Sequence, residues 1–350
     1  MNYRIAWLGI ICVLAGCDSL APIETSSADK SKKSGASSSD EGSSIAHKEI
    51  AATPSRGESE EKLGSTKQGS LVSNHKPELR FLRAPKVEEL ALPDLRGSQA
   101  IWGATGRDRV GRMYFGIASY GVDDPSAYLL RLDPRSDRFE VLGEVNQELD
   151  KLKIRRQNPW PETQMKIHSK IMPASDGRVY FSTQDEHNEA SDGSTNALFG
   201  GRLFGFQPDK KIWDCLLTTP ESLIALAARD DLVVAQGYFG HVLYQYNVKT
   251  KKINKKELGT YKGHVSRNIF MDHRGHVYGI RARLASSQEA EGVYKLNGDR
   301  VRISLTELDT ELREIHDWPL SDYEPSGDTG SHGITGFSEM LDGSIVFVTH

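Results

Sequence analysis

The sequence predicts an all-β protein built from repeated four-stranded sheets, and three observations carry that expectation. First, a turn-and-strand phrase recurs: Gly111-Arg112-Met113-Tyr114-Phe115, Gly177-Arg178-Val179-Tyr180-Phe181, Asp230-Asp231-Leu232-Val233-Val234, Gly275-His276-Val277-Tyr278-Gly279 and Gly343-Ser344-Ile345-Val346-Phe347. Its turn positions lie 66, 53, 45 and 68 residues apart. Second, each of the first four phrases leads into a third strand, a polar turn and a closing strand, as in "YLLRLDPRSDRFEVLGEV", "GRLFGFQPDKKIWDCLL", "HVLYQYNVKTKKINKKEL" and "EGVYKLNGDRVRISLTEL". Third, no stretch of this region shows helical periodicity, and β-branched and aromatic residues alternate with turn residues.

The region before the repeats reads differently. Arg4 precedes the apolar run 5–14 ("IAWLGIICVL"), which is too short to span a bilayer comfortably. Leu14-Ala15-Gly16-Cys17 follows and resembles the lipobox of bacterial lipoproteins, which implies a signal peptide over 1–16 and lipidation of Cys17. Cys12 would leave with the signal, so Cys215 remains as the one thiol of the folded part, and no disulfide is expected there. From Cys17 to residue 80 the chain is rich in Ser, Lys, Glu and Gly, and no Phe, Trp or Tyr occurs between Trp7 and Phe81. Such a stretch buries too little apolar surface to offset chain entropy and is expected to be a disordered tether. A flexible linker of about 60 residues has an r.m.s. span of about 45 Å.

Residues 81–350 then form the repeat domain. Four short strands per unit of about 45–65 residues is the pattern of a β-propeller. The units resemble the YVTN/SMP-30/WD40-like superfamily of propeller repeats, which implies blades arranged around a central channel. Trp213-Asp214 does not make a WD40 signature, because it falls in an outer strand. Five blades are visible and the last is incomplete. A propeller must close to remove its sheet edges, so six to eight blades are expected in a complete chain that continues past His350. The alternative is that residues 86–95 ("KVEELALPDL") supply an outer strand to the fifth unit.

In such blades the a–b and c–d turns share one face, and the b–c and d–a links share the other. The tight turns here are of the first kind, whereas the links 117–127, 183–201, 283–292, 146–166 and 311–331 are long. Binding residues are expected where that length gathers. His168, His264 and His332 begin inner strands on that face, with Gln99 or Gln164 nearby, and together could hold Mn²⁺, Zn²⁺ or Ca²⁺. Trp102, Tyr120, Tyr238, Phe239 and Arg267 are candidate ligand contacts, although aromatic residues at these positions also suit packing between blades. Three histidines and a glutamine look similar to the divalent-cation site of oligogalacturonate lyases, which are propellers. That resemblance implies a metal that binds a uronate carboxylate and acidifies the C5 proton. The sequence departs from those enzymes in having no two histidines two residues apart.

Other classes fit less well. The net charge of −4 gives no reason to expect nucleic acid as a partner. No G-x-S-x-G, H-E-x-x-H, Walker or C-x-x-C motif occurs. Asp185, Glu186 and Asp192 lack EF-hand spacing and read as a solvated acidic loop. Two readings stay open. One is an envelope lipoprotein, on the periplasmic or cell-surface side, that binds a carbohydrate, peptide or protein on its long-loop face. The other is a metal-dependent polysaccharide lyase or hydrolase with its histidine cluster at the propeller axis.

Overall fold

A computed structural model of the chain describes residues 89–190, 195–238, 241–259, 261, 266–296, 298–320 and 334–349. The chain divides into two units, Met1–Glu89 and Leu90–His350, and the described fold is that of the second. Cys17, the signal and linker segments, His264, His332, Phe239 and Asp192 lie outside the described residues.

Four antiparallel four-stranded blades follow one another. In the first, β1 (Ser98–Ala100) and β2 (Thr105–Arg107) are two pieces of the inner strand, both paired with β3 (Met113–Ser119); β4 (Tyr128–Asp133) and β5 (Arg138–Glu144) complete it. The link to the second blade carries a short helix, α1 (Val145–Lys151), whose two turns were too brief to register as a period in the sequence. The second blade repeats the broken inner strand as β6 (Lys166–Ile167) and β7 (Met172–Pro173), then β8 (Val179–Gln184), β9 (Gly201–Gln207) and β10 (Ile212–Thr219). The third is continuous: β11 (Leu223–Arg229), β12 (Leu232–Gly237), β13 (Val242–Asn247) and β14 (Ile253–Glu257).

The fourth blade corrects the strand assignment read from the sequence. After β15 (Phe270–Met271) and β16 (Val277–Leu284), the phrase "VYKLNGDR" does make a hairpin between β17 (Val293–Leu296) and β18 (Asp299–Leu308). It is β18, however, that pairs along β16 as the third strand, and β19 (Glu314–Pro319) closes the blade. β17 is a short extra strand on the outer edge of β18. A second correction concerns residues 89–95, which form no strand in the fifth unit. Leu90 and Leu95 instead pack on Phe115, Tyr128 and Leu130 of the first blade. β20 (Ile334–Glu339) and β21 (Ile345–Thr349) pair with each other.

Both faces of each blade are buried, which explains why the middle strands read as nearly unbroken apolar runs. Along β4, Leu129 faces the second blade while Tyr128, Leu130 and Leu132 face the opposite side. Phe181, Phe204 and Phe206 gather edge-on around Trp213, with ring centroids 5.2–5.8 Å from it. Each such side chain, fully buried, contributes about 1.5–3 kcal/mol. The Trp213 indole also donates to the Leu142 carbonyl at 3.3 Å, tying the outer strands of the first two blades.

The recurring phrase has a physical purpose on the short-turn face. The Tyr114 hydroxyl donates to Asp108 at 2.9 Å, Tyr180 to Asp176 at 2.8 Å and Tyr278 to Asp272 at 3.2 Å. In each case a second-strand tyrosine satisfies the aspartate that organises the turn before it. From that tyrosine a polar row crosses the blade in register. It runs to Arg131 and Glu140 in the first blade, to Gly205 and Asp214 in the second, and to Glu307 and His316 in the fourth. The third blade has a two-residue turn and places Val234, Gln245 and Asn254 in the corresponding row.

Inner strands meet closely where the first two blades join. Gly106 bridges Ile171 in parallel, and a Cβ on Gly106 would lie 1.7 Å from the Ile171 carbonyl oxygen. Gly106→Ala should therefore push the two blades apart and lower stability by at least about 2 kcal/mol. Chemical denaturation measures this directly, and an unchanged midpoint would show that the blades do not meet there.

Candidate functional site

The long link from the first to the second blade must be pinned before it can deliver a side chain to the axis. Glu162 does this as a fully buried carboxylate, 0% exposed. Arg202, on β9, donates to it through Nε at 2.7 Å and Nη2 at 2.5 Å, and Arg156 adds bonds at 3.1 and 3.3 Å. Burial opposes its ionisation, but the two guanidiniums outweigh that and hold its carboxyl below the usual glutamate range. Gln164 donates to Glu162 at 3.0 Å and accepts from the Thr183 hydroxyl at 2.5 Å. Both ends of that amide are thus used in support of the fold.

The b–c loop of the second blade is fixed in a similar way, and Asp185 corrects the expectation of a solvated acidic loop. It is fully buried and accepts from the Thr163 hydroxyl, the His187 ring and backbone, and the Phe199 amide at 2.7–3.2 Å. Its own carbonyl takes the Ser222 hydroxyl at 2.8 Å. Glu186 and Glu189 are thereby held beside the inner strands rather than left in solvent. At the loop's far end Gly200, at φ +63°, enters β9, where a Cβ would strike the Thr219 carbonyl.

These two anchored segments converge on the long-loop face near the axis. Lys166 reaches over the Trp102 ring at 4.5 Å and the Tyr120 ring at 5.6 Å, and it pairs with Glu186. Trp102, 40% exposed, lies parallel to the His168 ring, with centroids 6.4 Å apart and planes 12° from parallel. His168 donates Nδ1–H to the Ile224 carbonyl at 2.8 Å, so its Nε2 is the free acceptor. Burial pushes its pKa down to about 4, with the positive charges of Lys166 and Arg267 adding to the effect. Trp102, Lys166, Ile224 and Arg267, one from each of the four blades, thus act on one imidazole. Arg267 is exposed, donates to the Tyr238 hydroxyl at 3.5 Å and makes no ion pair among the described residues.

Buried hydrogen-bonding capacity remains unused here. Gln184 donates to Glu189 Oε2 at 3.0 Å, yet Gln184 Oε1, Glu189 Oε1 and the Tyr120 hydroxyl have no partner among the described residues. Buried polar atoms of this kind call for a ligand or water. Burial raises the Glu189 pKa to about 7, and the Glu186 charge acts in the same direction.

The structure brings Trp102, Tyr120 and His168 together around Lys166, and Tyr238 to Arg267. Gln99 is exposed on β1 beside Gly121 and makes no hydrogen bond to His168. A dication at His168 would meet the repulsion of Lys166 and Arg267, and the described residues assemble no metal-binding set there. Lys166, Gln184 and Glu189 were not singled out in the sequence. The available signal was that Lys166 precedes His168 by two residues in a strand and so shares its face. A separate shallow cavity of about 380 Å³, lined by Arg156, Arg202, Cys215 and Leu217, lies on the outer side of the second blade.

No family model matches the chain, and no curated protein matches it. Solved structures similar to it include the extracellular domain of a putative one-component system from B. thetaiotaomicron, at 14% identity over 70% of this chain and 33% of that one, with a TM-score of 0.32. A putative gluconolactonase is similar at 12% identity over 66% and 65% of the two chains, with a TM-score of 0.35. The propeller of Dos1 is similar at 13% identity over 67% and 47%, with a TM-score of 0.36. The chain spans between a third and two thirds of the length of these proteins.

Glu189 gives the site a pH signature. The folded carboxyl keeps its proton up to about pH 7, whereas the unfolded one releases it near 4.5. Between those values the folded state binds more protons, so raising the pH through this window destabilises the protein. Glu189→Gln should match the wild type near pH 4.5 and exceed it at pH 8 by on the order of 1–2 kcal/mol, with its partial exposure discounted. Urea denaturation at the two pH values checks this, and a difference independent of pH would contradict it.

Proposed function

We propose that the protein is a lipid-anchored propeller of the bacterial cell envelope whose long-loop face binds an acidic oligosaccharide. The observation that carries this reading is the combination at the axis of an accessible indole, two cations and buried acceptors that have no partner among the described residues. Trp102 offers a ring face to a sugar, Arg267 offers a carboxylate a guanidinium that makes no ion pair among the described residues, and Gln184 with Tyr120 offers hydrogen-bonding atoms to hydroxyl groups. The anchor is read from the lipobox at Cys17, which lies on the outer side of the membrane once the signal is cleaved.

A second reading, catalysis on the same ligand, is favoured by Glu189. A carboxyl with a pKa of about 7, on the same face as a neutral His168, is matched to general acid–base chemistry at neutral pH. Release of new sugar ends from a bound oligosaccharide, abolished in Glu189→Gln, distinguishes an enzyme from a binding protein.

Calorimetric titration of the full-length protein with galacturonate, alginate and hyaluronan fragments, and with a neutral cello-oligosaccharide, tests the binding reading. At least one acidic fragment should bind, more weakly at high salt, and Trp102→Ala and Arg267→Ala should each reduce affinity about tenfold. Cys17→Ala should release the protein from the membrane fraction without altering that affinity. Equal binding of the neutral sugar, or indifference to both site substitutions, would refute the proposal.

A further inference from the structure

The polar row of the fourth blade has been rebuilt from residues that ligate metals. In the first two blades the phrase is Gly-Arg-x-Tyr, and the row is held by alternating charges. Arg131 pairs with Glu140 at 2.5 Å, and Arg178 pairs with Asp214. In the fourth blade the phrase becomes Gly275-His276-Val277-Tyr278. The third-strand position holds Glu307 instead of Arg131, and the outer position holds His316 instead of Glu140 or Asp214. Three positions have thus changed to carboxylate or imidazole at once, while the turn aspartate, Asp272, is kept.

The resulting geometry converges. His276 Nδ1 lies 2.7 Å from Glu307 Oε1, and His316 Nδ1 lies 2.8 Å from Glu307 Oε2. Donor atoms of Asp272, His276 and Glu307 all lie within 4.8 Å of one another. Tetrahedral ligands at about 2.0–2.2 Å from a zinc ion stand about 3.3–3.6 Å apart, so the His276–Glu307 pair must open by somewhat over half an ångström, while donors at the outer bound of the set must close by a little over an ångström. Asp272 and Glu307 are 1% and 3% exposed, which places two negative charges in the interior. The one full cation facing them is Arg274, which bonds Asp272, Tyr278 and Glu307 at 2.7–2.9 Å. Its side chain is 50% exposed, so it can swing into solvent.

We propose that Asp272, His276 and Glu307 form a binding site for a borderline divalent transition-metal ion such as Zn²⁺, on the short-turn face of the fourth blade, with His316 orienting Glu307 through its other carboxylate oxygen and Arg274 as the cation that the metal displaces. Mixed nitrogen and oxygen donors suit such an ion better than Ca²⁺ or Mg²⁺, which take oxygen ligands almost exclusively. The site is independent of the long-loop face, on the opposite side of the blades. His316 also stacks on Trp318, with centroids 4.9 Å apart, so a bound paramagnetic ion lies beside a fluorescent reporter.

The test uses untagged full-length protein titrated with ZnCl₂ by calorimetry and with NiCl₂ by tryptophan fluorescence. Zn²⁺ should bind with one-to-one stoichiometry, and His276→Ala and His316→Ala, both partly exposed residues, should each weaken it at least about tenfold. Arg274→Ala should tighten it, and Ni²⁺ quenching should disappear in Trp318→Phe. Absence of saturable Zn²⁺ binding in both the wild type and Arg274→Ala would overturn the proposal. So would binding that ignores both histidine substitutions.

Discussion

A buried carboxylate between two guanidiniums determines where this protein can carry a site. Glu162 belongs to the link between the first two blades, and Arg202 belongs to the third strand of the second. Removing one partner of such a pair leaves an uncompensated charge in the interior, at a cost of about 3–5 kcal/mol. The link is therefore held against the second blade along its length, and the chain leaves it at Lys166 with its direction fixed. Everything at the axis follows from that. Lys166 can lie over Trp102 and Tyr120 only if the strand that bears it starts at this height.

The blades give the opposite faces of the protein different chemistry from one repeated plan. On the short-turn face of the first, second and fourth blades, tyrosine, aspartate and arginine close the turn, and the residues satisfy one another. On the long-loop face, the polar groups are held by the backbone behind them and leave atoms unused in front. His168 is fixed by the Ile224 carbonyl, and Glu189 by Gln184, but each keeps an acceptor without a partner among the described residues. That contrast, rather than depth of cavity, marks the face as functional. The fourth blade is the exception on the structural side, because its row exchanges an arginine centre for a glutamate flanked by imidazoles.

The architecture was legible where local chemistry and global position agree. The Gly-x-x-Tyr phrase is both a turn signal and a second-strand signal, and the strands at Met113, Val179 and Val277 begin as it predicts. The fourth blade shows the limit. Asn297-Gly298 is a strong hairpin signal, and a hairpin does form, but the sequence does not say which arm runs on into the blade. β18 serves β16 on one edge and both β17 and β19 on the other, a division set by tertiary pairing alone. The site was legible in Trp102, Tyr120, His168, Tyr238 and Arg267, but not in Lys166, the cation at its centre. Nor was its acidic half legible, because Asp185 in a polar loop looks solvated until Thr163, Phe199 and Ser222 are seen to hold it, and Glu189 until Gln184 is.

The long-loop face at the axis is where ligand is proposed to be received. Hydrogen–deuterium exchange of the full-length protein, with and without a saturating acidic oligosaccharide, measures this directly. Protection should appear in peptides spanning 117–127, 164–170, 183–190 and 266–270 and be absent from the turns at 108–112, 174–178 and 272–276. Protection confined to those turns or to the outer strands would contradict it.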